Sequence, residues 1–221
     1  MTRFIRYGGT AVLTVMLLAG SRQRADATSI NAIEPNDAPA TAQNIDAFFS
    51  LDYSADIGDE TGANTSLTIP HVTINSFTSD HNSTTDWYSF TVPTAGGIGI
   101  FDIDYGMFDL DANLQLLDPD GNELAFNDDY FPDTVGAGGS IHEFDSFIQY
   151  TFPGGESRLY TIGVSACCYG QPLYPGADYA LQVSIADHAV ESQVPEPASL
   201  WLLGAGLIGA GVRRWQQTRR D

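Results

Sequence analysis

The sequence predicts an all-β fold: an antiparallel β-sandwich of jelly-roll type, flanked by an N-terminal signal peptide and a short C-terminal transmembrane helix. The body of the chain consists of short runs in which apolar residues alternate or β-branched residues are frequent. Turn residues bound these runs. The body has no long stretch with the apolar period of a core helix. Eight or nine short strands with no helices between them are typical of a sandwich.

The elements of the body follow one another as short strands. The lead-in segment, residues 29–46 (SINAIEPNDAPATAQNID), is polar with prolines and alanines, so we expect extended chain rather than a helix. After it we predict nine strands, near Ala47–Leu51, Leu67–Phe77, Trp87–Val92, Ile98–Tyr105, Leu110–Leu117, Glu123–Asn127, Ser146–Phe152, Leu159–Ser165 and Tyr179–Ile185.

Strand alternation is clearest in FDLDANLQL, residues 108–116. The polar side chains of this run share one face, and the apolar ones share the other: Phe108, Leu110, Ala112, Leu114 and Leu116. The next residues, DPDGN, supply hairpin-turn chemistry, because Gly121 can take a positive φ. The stretch Asp128–Glu143 is rich in glycine, aspartate and proline and predicts a long loop.

The N-terminus carries the signals of export. Arg3 and Arg6 precede an apolar stretch over residues 7–20, and Ala25-Asp26-Ala27 supplies a small-x-small cleavage pattern. These features predict a secretory signal peptide over residues 1–27, with the cleavage position left open. An uncleaved anchor is the alternative, although the apolar stretch is short for a bilayer.

The body, residues 28–193, is strongly acidic. The chain has a formal net charge of −19, with 28 acidic and 9 basic residues and no lysine. Only three of the acids lie outside the body, and only Arg158 among the bases lies inside it, so the body carries a charge of −24. Such a surface repels nucleic acid and anionic lipid, and it favours cations such as Ca²⁺. Acidity that only keeps an exported protein soluble is the alternative explanation.

No catalytic constellation is recognisable in the body. It has no GxSxG elbow, no HExxH, no glycine-rich phosphate loop and no Ser-x-x-Lys. We therefore expect a protein that is not an enzyme. A hydrolase that uses two of the abundant carboxylates is the alternative. The histidines are scattered, and we interpret each as a surface residue: His71, His81, His142 and His188.

The two cysteines are neighbours, Cys167 and Cys168. Export would allow a disulfide. Adjacent cysteines can pair only in a strained ring or with another molecule, and two free thiols are the alternative. A CxxC metal or redox motif is absent from the sequence.

The C-terminus combines a Pro-Glu-Pro motif, a brief apolar span and terminal arginines. Residues 198–215 predict a short transmembrane helix whose arginine-rich end stays in the cytoplasm. In order and position these features, residues 194–221, resemble the PEP-CTERM sorting signal of Gram-negative bacteria. The resemblance implies an inner-membrane precursor and an exosortase that recognises Pro195, Glu196 and Pro197 and removes the tail. It also implies an association with exopolysaccharide or biofilm matrix in the cell envelope or outside the cell.

The body resembles the bacterial pre-peptidase C-terminal domain, a β-sandwich that is often appended to secreted peptidases. The resemblance rests on the order of EPNDAPATAQNID, TSDHNSTTDWYSFTVP, FDLDANLQLLDPDGNELAFNDD, DSFIQYTFPGG, LYTIGVSA and GADYALQVSI. It implies a β-sandwich with a structural or adhesive role, and it leaves open an accessory domain that serves a separate peptidase. The spacing from Asp80 to Asp86 is longer than the family's compact form.

The same resemblance implies a calcium site between the acidic lead-in and the aspartate before the Trp-Tyr pair. The lead-in offers three oxygen-bearing side chains within four residues, and two further aspartates flank the loop that enters a strand. Ca²⁺ takes about six to eight oxygen ligands. We therefore expect these ligands: Glu34, Asn36, Asp37, Asp80 and Asp86. Turn or capping roles are the alternative for the lead-in residues.

Three other groups have weaker patterns. Asp109, Asp111 and Asn113 have the spacing of an EF-hand start without its glycine and glutamate, and strand alternation explains them better. Residues 127–129 (Asn-Asp-Asp) close a hairpin and could also bind a cation. The Trp87-Tyr88 pair could stack on a sugar, although at a strand start we expect at least one of them in the core.

Overall fold

A computed structural model describes residues 29–77, 85–104, 110–129, 135–140, 144–167, 171–174 and 177–190. These residues form ten strands and two short 3-10 turns, Pro39–Thr41 and Asp46–Phe48. The strands are β1 (Ser29–Asn31), β2 (Gln43–Asn44), β3 (His71–Ser76), β4 (Asp86–Val92), β5 (Gly97–Asp104), β6 (Ala112–Leu117), β7 (Glu123–Asn127), β8 (Phe147–Phe152), β9 (Arg158–Ala166) and β10 (Tyr179–Ile185).

The strands build two sheets that pack face to face. The first sheet has the order β1-β3-β10-β5-β8, and the second has the order β2-β4-β9-β6-β7. β1 pairs in parallel with β3, and β2 pairs in parallel with β4, each at an edge of its sheet. All the other pairings are antiparallel. Without the two edge strands, the orders 3-10-5-8 and 4-9-6-7 are those of a jelly roll. The predicted fold class is confirmed.

The core lies between the inner faces of the two sheets. Residues that alternate along β5 and β10, such as Phe101, Ile103 and Leu181, point inward and are buried. From the second sheet, Phe90 lies at the centre of an aromatic cluster, with ring centroids 5.3 Å from Phe101 and 6.1, 6.3 Å from two other rings, Phe152 and Tyr160. Leu110, Ala112, Leu114 and Leu116 join this core, as the alternation predicted. Phe108 lies outside the described residues.

Most strand predictions agree with the structure, but the one near Ala47–Leu51 is wrong. The 3-10 turn Asp46–Phe48 occupies this stretch, and Ser50 makes only an isolated bridge with His71. The turn forms because Phe49 turns its side chain into the core while Asp46 hydrogen-bonds to β4. The strand predicted from Leu67 begins four residues later. A turn that starts at Thr65 precedes it, and Pro70 follows that turn.

The outer face of the first sheet is covered rather than open to water. The cover consists of residues 50–69 and the loop 135–140. Val135 packs with Ile100 and Phe147 in a small second core, and Ile69 lies against them. The amide of Gly136 also donates to the Asp59 carbonyl at 3.1 Å, which joins the two parts of the cover.

Candidate functional site

The lead-in segment joins the two sheets at one edge of the sandwich. Its first part is β1, which pairs with β3 of the first sheet, and its last part is β2, which pairs with β4 of the second. Between the two strands, the Asn36 carbonyl accepts the amide of Trp87 at 2.9 Å. This bond brings the predicted lead-in ligands to the start of β4, where Asp86 lies.

Glu34 and Asn36 are hydrogen-bonded to each other at this junction. Asn36 is completely buried, and its backbone amide donates to Glu34 Oε2 at 3.2 Å. With its side-chain amide turned so that the NH₂ group faces Glu34, Asn36 also donates to both carboxylate oxygens, at 3.1 and 3.0 Å. The N–H groups of Asn36 thus hold the Glu34 carboxylate at the junction.

Asp86 is the acidic member of a buried hydroxyl network on the inner side of the junction. Its Oδ2 accepts the Tyr179 hydroxyl at 2.6 Å and the Ser76 hydroxyl at 3.2 Å. The Tyr179 hydroxyl lies 2.7 Å from that of Tyr88. Burial, and then the charges of Asp86 and Glu34, raise the pKa of Tyr88 well above its usual value. Tyr88 and Tyr179 therefore stay protonated and can donate hydrogen bonds toward these carboxylates.

The structure thus brings together three of the five predicted ligands. Asp37 is half-buried directly beside Asn36, and Asp80 lies outside the described residues. A cavity of about 140 Å³ opens beside Glu34 and is also lined by Ser76. Sequence reasoning missed Tyr179 on β10 and Ser76 on β3, because only the packing of the strands brings their hydroxyls to Asp86. For Tyr88 the local signal was the expectation that at least one of the Trp87-Tyr88 pair lies in the core.

The oxygen donors of this junction fit a hard cation such as Ca²⁺. They are the carboxylates of Glu34 and Asp86, whose charges both act on the Tyr88 hydroxyl. Nitrogen and sulfur donors, which favour Zn²⁺ and softer metals, are not among these two side chains. The fit rests on two carboxylates that lie near one buried hydroxyl.

The structure separates the three weaker candidate groups of the sequence analysis. Asp111 and Asp128, from two separate groups, lie together, and their carboxylate oxygens and Cys167 Sγ fall within 4.8 Å of one another. Asn113 does not join them, because it is buried and bonds instead to the Ala166 carbonyl at 2.8 Å. Asp109 lies outside the described residues. Trp87 and Tyr88 are both buried, so they offer no exposed platform for a sugar.

The interpretation of the histidines as surface residues is wrong for His71 and His188. Both are buried, because neighbouring segments fold over the strand ends that carry them. Burial lowers the pKa of His71. His188 stacks on Phe49 at 3.8 Å and its Nε2 lies 3.0 Å from Asp46 Oδ1. His81 and His142 lie outside the described residues.

The remaining predicted groups lie wholly or partly outside the residues that the structure describes. Cys167 is disulfide-bonded, but Cys168 lies outside the described residues, so the vicinal pairing stays a prediction. The sorting motif Pro195, Glu196 and Pro197, the helix predicted over 198–215 and the signal peptide also lie outside. The described part of the chain contains no helix with the length and apolar character of a membrane span.

Comparison with known families supports both resemblances. The family model of the PEP-CTERM protein-sorting motif matches residues 193–214. The model of the bacterial pre-peptidase C-terminal domain matches residues 84–166, from the start of β4 to the end of β9. A comparison with curated proteins finds no significant match.

One similar solved structure is the pre-peptidase C-terminal domain of a collagenase from Bacillus anthracis. It is 14% identical over 52% of this chain and 85% of its own, with a TM-score of 0.32. The sorting motif marks the chain as an exported protein that is anchored in the membrane before exosortase processes it. Pre-peptidase C-terminal domains are usually accessory, and no catalytic family matches the chain.

Proposed function

We propose that this protein is a non-enzymatic β-sandwich module, stabilised by calcium at the lead-in junction, with a structural or adhesive role among polysaccharides of the cell envelope or extracellular matrix. The observation that carries the calcium site is the approach of two carboxylates, Glu34 and Asp86, to the buried Tyr88 hydroxyl. The sorting motif supports the location, and the acidic body supports the preference for cations.

The lead-in needs a clamp because its own strands are short. β1 has three residues and β2 has two; Ile30 of β1 and the adjacent Ala32 pack only partly against the core, although Ile45 at the end of the lead-in is buried in it. A bound cation would join Glu34 and Asn36 to Asp86 and so hold the lead-in at the mouth of both sheets. Asp37 would supply a further oxygen, and Asp80, which lies outside the described residues, stays a predicted ligand.

The site serves stability rather than chemistry in this proposal. Ca²⁺ supplies charge neutralisation there, while Tyr88 and Tyr179 hold the Asp86 side chain in place from the core side. None of these groups lies in an open cleft beside a second activated side chain, as hydrolysis would require. The rigid sandwich then presents its acidic surface to partners in the matrix.

Calcium-dependent melting of the full chain in detergent tests the site. A ligand at a hundredfold excess over its dissociation constant stabilises the folded state by about 2.7 kcal/mol, which corresponds to a rise in Tm of roughly 5 to 10 °C for a domain of this size. We expect Glu34→Gln to show a clearly smaller rise than the wild type, because it lacks this ligand. Asp120→Asn removes an exposed charge from the β6–β7 turn and should keep the wild-type rise. A rise of equal size in the wild type and in Glu34→Gln would show that calcium does not bind at the junction.

The role in the matrix has its own test. In the native host, Glu196→Ala should leave the tail attached and the protein in the membrane fraction. The processed wild-type protein should be retarded in gels that contain the host's exopolysaccharide. Turnover of any member of a glycan and peptide panel would contradict the non-enzymatic role and favour a matrix hydrolase. Retardation by a separately encoded peptidase, but not by polysaccharide, would favour an accessory domain.

A further inference from the structure

A second group of carboxylates lies on the outer face of the first sheet, on and beside β5, which β3 and β10 separate from the lead-in strand β1. Asp102 and Asp104 are on β5, and Gln182 on β10 is the cross-strand partner of Asp102. Their neighbours Phe101, Ile103 and Leu181 point into the core. Because side chains alternate along a strand, the two aspartates and the glutamine point outward, where a strand normally meets water.

These outward side chains are nevertheless shielded from water by the cover. Asp104 is 0% exposed, Asp102 is 2% exposed and Gln182 is 4% exposed. The backbone of Gly136 rests on the carboxylate of Asp102, and that of Gly139 rests on the carboxylate of Asp104, so that a Cβ at either glycine would overlap a carboxylate. Gly136 also has a φ of +69°, which favours glycine. The cover is therefore shaped to close directly over two acids.

The polar partners around the two acids are too few for two buried charges. Ser140 Oγ donates to Asp102 Oδ1 at 3.4 Å, and Gln182 Nε2 donates to Asp104 Oδ2. Three oxygens have no hydrogen-bond partner among the described residues: Asp102 Oδ2, Asp104 Oδ1 and Gln182 Oε1. The one basic residue of the body, Arg158, is exposed on the other sheet.

Two further acids add negative charge to the same place. Asp145, buried just before β8, and Asp56, in the cover, both act electrostatically on Asp102 and Asp104. Four carboxylates, one hydroxyl and one amide oxygen are thus brought together with no positive charge from the described residues. An unpaired carboxylate in such a position costs several kcal/mol unless a cation or a proton neutralises it.

We propose that this group, the carboxylate chamber, is a second Ca²⁺ site, bound by Asp102 and Asp104 with the neutral oxygens of Gln182 and Ser140 and with Asp56 and Asp145 at its rim. All of these donors are oxygens, which suits a hard cation and not Zn²⁺ or copper. The ion would fasten the cover to the first sheet, as the lead-in site fastens the edge strands. The chamber shares no residue with the lead-in junction and does not depend on it.

Protons are the competitor for the chamber. Burial, then the charges of Asp104 and Asp145, raise the pKa of Asp102 well above its usual value. Burial, then Asp56 and Asp145, raise the pKa of Asp104 to about 8. Burial and the neighbouring charges thus disfavour two uncompensated carboxylates here, and a bound cation would relieve both effects.

Calorimetry on a full-length Glu34→Gln protein, which lacks the lead-in ligand, tests the chamber. We expect this protein still to bind Ca²⁺ at pH 7. Adding Asp104→Asn should weaken the remaining binding tenfold or more. Adding Asp120→Asn instead should leave the affinity unchanged. Unchanged affinity on adding Asp104→Asn, or the absence of Ca²⁺ binding in Glu34→Gln, would overturn the proposal.

Hydrogen exchange tests the site on the wild-type chain, so that no effect of a substitution on folding enters the measurement. Calcium should slow amide exchange in residues 50–69 and 135–140 at least tenfold, in addition to any effect on the lead-in. If the chamber is only a protonated pair, calcium leaves exchange in the cover unchanged, and Asp102→Asn raises the Tm of the calcium-free protein. Either of these results rejects the site, whatever happens at the lead-in junction.

Discussion

Asp46, the last residue of the lead-in segment, holds three parts of the chain together. Its Oδ1 accepts the backbone amide of Thr91 at 2.7 Å and lies 3.0 Å from His188 Nε2. Its Oδ2 accepts the Thr91 hydroxyl at 2.7 Å and the Asn44 side-chain amide at 3.2 Å. One carboxylate thus connects the lead-in, β4 and the segment after β10. We predict that its removal destabilises the sandwich more than any exposed acid does.

The magnitude follows from the bonds that are lost. A hydrogen bond to a charged group contributes about 1.5 to 3 kcal/mol, and the partly exposed position of Asp46 reduces this toward the lower end. Because Asp46→Ala removes two short bonds to Thr91 and the contact with His188, we expect a loss of about 2 to 4 kcal/mol in the free energy of unfolding. Asp46→Asn keeps the size and one acceptor, so it should lose roughly half as much.

The pH dependence of this loss distinguishes charge from packing. Burial raises the pKa of Asp46, but hydrogen bonds from His188, Thr91 and Asn44 more than offset burial and hold it well below its usual value. A carboxyl whose pKa is lower in the folded state stabilises the protein above its unfolded pKa of about 3.9. This contribution is lost as the pH falls toward the folded pKa.

Urea unfolding of the wild type, Asp46→Asn and the control Asp120→Asn, at fixed calcium and from pH 7 to pH 3, measures the effect. The difference between the wild type and Asp46→Asn should be largest above about pH 5 and should shrink toward pH 3. The control should follow the wild type throughout. An equal difference at pH 7 and pH 3 would show that the charge of Asp46 contributes nothing and would refute the reasoning.

Three further substitutions test the packing. A Cβ at Gly163 would lie 2.8 Å from the Trp87 ring, so Gly163→Ala should lower stability by about 1 to 3 kcal/mol in urea titrations; an unchanged midpoint would mean that Trp87 moves freely. Tyr179→Phe removes the 2.6 Å bond to Asp86 and should cost about 1 to 3 kcal/mol, measured by thermal melting, whereas a stabilised variant would contradict the network. Phe90→Ala empties the centre of the aromatic cluster and should cost about 3 to 5 kcal/mol, and a loss below 1 kcal/mol would place the core elsewhere.

The predictions from sequence were accurate where the signal is local. The alternation of residues 110–117 and the DPDGN turn define β6, β7 and the hairpin between them within two residues. Gly121 has the positive φ that the turn requires. Such signals need only the pleat of a strand and the φ of a turn residue, which neighbouring residues determine. The 3-10 turn at Asp46–Phe48 was missed because a distant strand, β4, supplies its partners.

The candidate sites divide in the same way. Glu34, Asn36 and Asp86 were predicted as ligands because the family resemblance points to the acidic lead-in and to the aspartate before the Trp-Tyr pair, and the calcium site stays a prediction. The carboxylate chamber was not found, since Asp102 and Asp104 have the spacing of ordinary outward strand residues. Only the cover, from two segments distant in sequence, buries them beside Gln182.

By itself the sequence determined the class of fold, the strongly acidic body and the C-terminal sorting motif, because composition, short-range periodicity and short motifs encode these properties. The tertiary structure decided which acids are buried, which carboxylates come together and which hydroxyls reach Asp86. Burial and convergence depend on contacts between residues up to about a hundred positions apart, such as Tyr88 with Tyr179. The electrostatic cost that makes a carboxylate demand a cation exists only after the chain has closed around it.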